Sequence, residues 1–317
     1  MRKIKPAQMQ NTIFPKSLKK GDKIAIISPA GSVEETQLER TLALIKSKGY
    51  EPILGENLHK KYQNGYPYAG TEEQRIKDIN WALNNPEISA IWASRGGYGC
   101  QHLVQHLDLK EFKKNPKWYI GYSDNTVIQS YLLKKGFASI HGQTIKTSSF
   151  GVTEESYDLT FDILKGKFPN YKIESTEYNR VGEASGTLVG GNLALIYALL
   201  GTKYSFDFTD NILFIEDIGE NFYAMDRMIM SLELAGVFKK IKGLIVGGMT
   251  NMGKEGENKS YEESFDQFVN QQIANRVSQY DFPTVFNFPN GHIYDNRPLI
   301  IGSEITMKVG KDVKIKF

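Results

Sequence analysis

From Lys23 onward, short uninterrupted apolar runs alternate with stretches whose apolar positions recur every three to four residues. Residues 24–28 precede the amphipathic 34–48, residues 88–94 precede 100–107, and residues 118–122 precede 125–134. Strand then helix, repeated, is the rhythm of a parallel sheet flanked by helices. Ile24-Ala25-Ile26-Ile27 is apolar at every position, as a strand must be when both faces of its sheet are covered. Polar groups appear where these runs stop, at Ser28-Pro29-Ala30-Gly31, Ser94-Arg95-Gly96-Gly97 and Tyr122-Ser123-Asp124. Ligands of open α/β sheets sit outside the carboxyl ends of the strands, so the three loops are expected to share one rim.

Over residues 150–180 the pattern gives way to polar sequence with one amphipathic stretch, 157–164. The domain junction is placed there. The expected fold is therefore α/β, with an N-terminal parallel-sheet domain flanked by helices (residues 1–165) and a smaller C-terminal domain with a mixed sheet (166–317). Apolar runs in the second block fall at 188–191, 212–215, 244–248 and 284–288. Residues 300–308 and 313–317 alternate apolar and polar about Gly310-Lys311-Asp312, which predicts a terminal hairpin. Residues 252–260, rich in Gly, Lys, Glu and Asn, read as a mobile surface loop.

Composition narrows what such a fold serves. With 40% apolar and 24% charged residues among 317, the chain has enough apolar sequence for a large core, and a net charge of +3 spread along its length gives no basic stripe for nucleic acid. Nothing approaches the roughly 20 apolar residues that span a bilayer, and the first 15 residues hold no signal-peptide run, so a cytoplasmic protein without membrane association is expected. Cys100 is the single cysteine, which excludes an internal disulfide and a thiolate metal cluster and agrees with a reducing compartment. It reads as a small buried hydrophobe.

The densest chemical signal is Trp118-Tyr119-Ile120-Gly121-Tyr122-Ser123-Asp124-Asn125-Thr126, a strand that stops at a Gly-X-Ser turn and enters a helix. Such a turn pushes the serine out of the sheet and offers free backbone N–H groups to an oxyanion. Asn125 stands where a hydrolase elbow usually has its second glycine, and a helix cap on Ser123 or Asp124 fits the same residues. A nucleophilic serine needs a base, and five histidines are available. His59 lies in a polar run; His102 and His106 share a helix face and read as a solvated pair, no carboxylate-rich third site accompanying them. His141 follows Ile140 at a strand end. His292 stands in Asn290-Gly291-His292, a turn after an apolar strand that would hold a base rigidly. Carboxylates that could orient an imidazole follow the run 212–215 at Glu216, Asp217 and Glu220, where helix capping is an equally good reading. Arg95-Gly96-Gly97-Tyr98-Gly99 and Gly190-Gly191-Asn192 match no nucleotide fingerprint. Beside an elbow, Gly96 or Gly97 could supply an oxyanion donor, and Arg95 could meet a substrate carboxylate.

Taken in order, Ile27-Ser28-Pro29-Ala30-Gly31, Ser94-Arg95-Gly96-Gly97-Tyr98-Gly99, Gly121-Tyr122-Ser123-Asp124, Gly190-Gly191-Asn192, Phe214-Ile215-Glu216-Asp217 and Gly291-His292 resemble the LD-carboxypeptidase (S66) family of serine peptidases over nearly the whole chain. The resemblance implies Ser123 as nucleophile, His292 as base and Glu216 as orienting carboxylate, in a cleft between the two domains. The oxyanion hole is expected from the backbone of Asp124 with Gly96 or Gly97, and substrate contacts from Arg95, Tyr98 and Asn192. It implies no metal and no cofactor, a muropeptide-like peptide as partner and a homodimer. Family members release D-alanine from murein tetrapeptides during cell-wall recycling, and a related branch cleaves microcin C-type peptidyl nucleotides. The microcin activity is one rival reading, although Trp81, Trp92 and Trp118, candidates for a nucleobase platform, all read as core. A two-domain ligand-binding protein without chemistry is the other.

Overall fold

The apolar run at 24–27 is completely buried inside a sheet in the computed structural model, which describes residues 12–253, 261 and 263–317. The first half of the chain runs β1 (Lys23–Ile27), α1 (Glu39–Ser47), β2 (Glu51–Leu54), a small hairpin of β3 (Tyr62–Gln63) and β4 (Pro67–Tyr68), α2 (Glu72–Asn84), β5 (Ile88–Ala93), α3 (Cys100–Leu103), β6 (Trp118–Gly121), α4 (Thr126–Lys134), β7 (Ser139–His141) and α5 (Glu154–Leu164). The second half supplies β8 (Asn170–Glu174), β9 (Gly182–Asn192), α6 (Leu193–Leu199), β10 (Ile212–Ile218), α7 (Phe222–Leu234), β11 (Gly243–Thr250), α8 (Gln267–Val277), β12 (Thr284–Val285), β13 (Leu299–Ile301), β14 (Glu304–Val309) and β15 (Asp312–Lys316).

Two α/β domains result. The N-terminal sheet has the order β13-β7-β6-β5-β1-β2, parallel except where β13 meets β7. Alternate residues face opposite layers: Ile24, Ile26, Trp92 and Ile120 pack with Ile45, Tyr157 and Phe161, while Ala25, Ile27, Ile91 and Tyr119 pack with Ile79, Val127 and Leu132. Each large apolar side chain buried this way contributes about 1.5–3 kcal/mol. The second sheet, β12-β11-β10-β9-β14-β15-β8, is mixed: β9 to β12 run parallel, whereas β14, β15 and β8 pair antiparallel. No helix among the described residues is long and apolar enough to cross a membrane.

Three local readings differ from the structure. The run 300–308 is two strands in different sheets, because Gly302, at φ +93°, turns the chain between β13 and β14. Residues 170–174, within the polar junction, form an edge strand whose Tyr171 alone is buried. The helix expected over 100–107 stops at Leu103 and tightens into a 3-10 turn over Val104–His106. The terminal hairpin is present, closed where the Gly310 N–H donates to the Asp312 carbonyl at 3.1 Å. Most of the loop at 252–260 lies outside the described residues.

Candidate active site

The strand β6 ends at Gly121, Tyr122 remains extended, and Ser123 then takes φ +63°, a left-handed conformation that a non-glycine residue holds at a cost of about 1–3 kcal/mol. A 3-10 turn over Ser123–Asn125 leads straight into α4. No side-chain cap bond from Ser123 or Asp124 closes that helix. Asn125 instead braces the turn, accepting from the Tyr119 hydroxyl at 2.6 Å and donating to the Tyr122 carbonyl at 3.0 Å. Gly121 must lack a side chain, since a Cβ there would meet the Asn125 side chain at 2.8 Å. The Asp124 carboxylate accepts the backbone N–H of Cys100 at 2.8 Å, tying the start of α3 to the elbow; its burial pushes the carboxyl up to about 6.

The three loops at the strand ends do meet. Ser28 and Ser94 share a hydroxyl–hydroxyl bond of 2.6 Å, and the Gly31 N–H donates to the Gly96 carbonyl at 3.2 Å. A Cβ on Gly96 would stand 2.8 Å from the Ser123 Cβ and 3.0 Å from its Oγ, so only glycine lets this backbone lie against the serine. Cys100 is buried, and burial pushes its thiol well up, beside the Asp124 carboxylate.

On the C-terminal side, β10 delivers Glu216 and Asp217 to opposite faces of the sheet. Asp217 is spent as an anchor, accepting from the Asn192 side-chain amide at 2.9 Å and from the N–H groups of Ala194 and Ile218 at 2.9 and 2.8 Å. Glu216 points the other way. Its Oε2 accepts from His292 Nδ1 at 2.8 Å, which leaves Nε2 of that ring as the basic nitrogen. Burial pushes the Glu216 carboxyl up, but the adjacent His292, aided by His141 and the Asn192 amide, more than offsets this and holds it below its ordinary value. Gly291, at φ +118°, permits the approach, because a Cβ there would lie 2.7 Å from that same oxygen.

Ser123 and His292 line one cavity of about 280 Å³, together with Arg95, Gly96, Gly97, Tyr122, Lys146, Tyr261 and others. No hydrogen bond joins the Ser123 hydroxyl to His292 among the described residues; serine–base contacts of this kind commonly tighten only when substrate enters. The Tyr122 ring packs 4.6 Å from the imidazole and its hydroxyl meets that of Tyr261 at 2.9 Å, so the base is walled by aromatic surface. Arg95 donates to the Ser32 carbonyl at 2.9 Å, and neither Arg95 nor Lys146 has a carboxylate within ion-pair distance among the described residues. Burial, then the charge of Arg95, lowers Lys146 to about 8. Nothing in the sequence marks Lys146, one of 39 basic residues.

Other candidates stand elsewhere. Tyr98 is 42% exposed outside the cavity wall, packed on Tyr66 and His102. Asn192 is buried, and its Oδ1 accepts the Leu195 N–H at the start of α6 while its amide donates to Asp217. No group of three or more His, Cys, Asp or Glu side chains among the described residues could hold a metal.

Residues 24–142 match the LD-carboxypeptidase N-terminal domain and residues 185–307 the LD-carboxypeptidase C-terminal domain. The chain belongs to the LD-carboxypeptidase family. It is 27% identical over 286 residues to the murein tetrapeptide carboxypeptidase of Pseudomonas aeruginosa, covering 87% of this chain and 89% of that one. The crystal structure of muramoyltetrapeptide carboxypeptidase from Oxalobacter formigenes superposes with a TM-score of 0.80 at 28% identity, covering 93% of this chain and 99% of the other. The microcin C7 self-immunity protein MccF, in complex with aspartyl sulfamoyl adenosine, shares the fold with a TM-score of 0.82 at 22% identity, over 96% and 98% of the two chains.

Proposed function

We propose that this protein is a serine carboxypeptidase that cuts the amide bond between an L-configured centre and a terminal D-amino acid, releasing D-alanine from murein tetrapeptides in cytoplasmic cell-wall recycling. The observation that carries the reading is the 2.8 Å His292–Glu216 bond on the wall of the cavity into which the strained Ser123 elbow opens. Relatives named for murein tetrapeptides support the substrate.

In the proposed reaction the Ser123 hydroxyl attacks the scissile carbonyl as His292 Nε2 accepts its proton and Glu216 steadies the imidazolium. The oxyanion rests on the backbone N–H of Asp124 and that of Gly96 or Gly97, each such donor being worth about 3 kcal/mol in the transition state. His292 returns the proton to the leaving amine. Water then attacks the acyl-enzyme by the reverse path and frees the shortened peptide. Arg95 and Lys146 supply positive charge for the carboxylate that every carboxypeptidase substrate carries at its end.

The two cations separate by pH. Lys146, lowered to about 8, loses its charge as pH rises through that value, whereas Arg95 stays charged. KM is therefore expected to rise above pH 8 in the native enzyme, while Lys146→Met has a higher KM at neutral pH and no such rise. Steady-state kinetics from pH 6 to 10 checks this.

Mass spectrometry of muropeptides incubated with the purified protein tests the reaction class. Loss of one terminal alanine from tetrapeptides, with pentapeptides intact, is the expected result. Preferential cleavage of a peptidyl-adenylate analogue would move the assignment to the microcin branch. Absence of any hydrolysis, with no Ser123-dependent labelling by a fluorophosphonate, would favour a binding protein.

A further inference from the structure

Glu216 has two carboxylate oxygens, and the proposed triad uses one. Its Oε1 is buried without a hydrogen-bond partner, and 3.8 Å away stands Nε2 of His141, equally buried and equally unpartnered. His141 closes β7, and its ring is walled by Phe214 at 5.4 Å and Tyr122 at 6.2 Å between centroids.

The tautomer of His141 is fixed from behind by Gln129 on α4. The Gln129 amide nitrogen donates to the carbonyls of Gly121 at 3.0 Å and Ile140 at 2.8 Å, so its orientation is dictated and Oε1 must face His141 Nδ1, 3.1 Å away. Facing an acceptor, Nδ1 carries the hydrogen. A neutral His141 then turns the bare lone pair of Nε2 toward the second oxygen of Glu216. Two buried acceptors opposed without a donor are costly, and one proton converts the opposition into a charge-assisted hydrogen bond.

We propose that one proton, taken from solvent, is held between His141 Nε2 and Glu216 Oε1, making His141 a positioning residue that fixes the catalytic carboxylate and lends the triad a further positive charge. The inference rests on the triad assigned above. The titratable groups facing the ring are Glu216, His292 and Tyr122. Tyr122 is kept neutral by burial. Burial and the charge of His292 push the His141 imidazole down and Glu216 pulls it up, which together leave it at about 4 with the pair 3.8 Å apart. The pull from Glu216 acts across 3.8 Å and steepens as the pair closes to hydrogen-bond length, whereas the desolvation of the ring is already complete. When His292 takes the Ser123 proton, two imidazolium rings and one carboxylate leave a net positive charge opposite the oxyanion. At rest the same charge opposes protonation of the base.

Histidine-labelled nitrogen NMR on Ser123→Ala protein reads the proton directly. His59, His102, His106 and His292 are assigned by single replacement, so His141 is identified without altering it. The expected result at neutral pH is an imidazolium at His141 with both nitrogens protonated; a bare Nε2 overturns the proposal and leaves the peptidase reading intact, since no turnover is involved. In folded His141→Asn, kcat/KM falls and its acid limb moves to higher pH by on the order of one unit, because the base has lost a neighbouring cation. A fall with the acid limb unmoved marks a merely structural role and likewise overturns it.

Discussion

Replacing Ser123 by alanine is expected to lower kcat on the murein tetrapeptide about 10⁴-fold or more, with KM little changed. Nucleophile, base and carboxylate act as a unit, so removing the hydroxyl forfeits the acyl-enzyme route and leaves only what binding and the oxyanion donors supply. Stability should move the other way. The residue at φ +63° carries strain that glycine does not, and Ser123→Gly is expected to melt above the native protein by an amount corresponding to about 1 kcal/mol. Kinetics and thermal melts on the two variants check both halves. Activity within about tenfold of native would remove Ser123 from the mechanism.

Glu216→Gln is the second large effect, again about 10⁴-fold in kcat, because an amide of the same shape cannot stabilise the imidazolium. The sign of its pH dependence follows from the lowered carboxyl. A group whose folded value lies below its unfolded one contributes stability that is present above the ordinary carboxylate range and is lost as pH falls through the folded value. The native protein should thus lose stability on acidification that Glu216→Gln does not lose, which acid titrations followed by circular dichroism would register. Asp217→Asn supplies the contrast. It sits one residue away on the opposite face, so kcat should remain within about tenfold of native while the melting temperature drops, its contacts being with α6 and the following strand residue.

Much of this was legible because it is local. The elbow is written in nine consecutive residues, Trp118 to Thr126, and a strand meeting a helix across Gly-Tyr-Ser fixes where the hydroxyl goes whatever surrounds it. The parallel rhythm of the first domain and the terminal hairpin were readable for the same reason. What escaped depends on partners far away in the chain. Nothing near Glu216 says which of two adjacent acids turns toward His292; that follows from the strand's face and from Asn192 occupying Asp217. The two glycines before Asn192 pack closely against Phe214, Thr126 and His141, contacts that no local pattern announces. Tyr98 shared a motif with Gly96 and Gly97 but points outward, since the loop reverses at Gly97 and Gly99, with φ of +111° and +136°. Lys146 carries no local signature at all, and the place of His141 at a strand end does not announce the carboxylate it meets. Each matters only because folding carries it to a wall or a carboxylate set by other segments.

The short strand Leu299–Ile301 closes the edge of the sheet to which all the other contributing strands come before residue 142. During synthesis on the ribosome, the amino-terminal half emerges with its β7 edge bare and must wait for more than 150 further residues before Ile300 arrives to join its core. The first sheet is therefore complete only once the second half has been made, and a nascent chain halted between them would present an open ladder of backbone groups on which another chain could add.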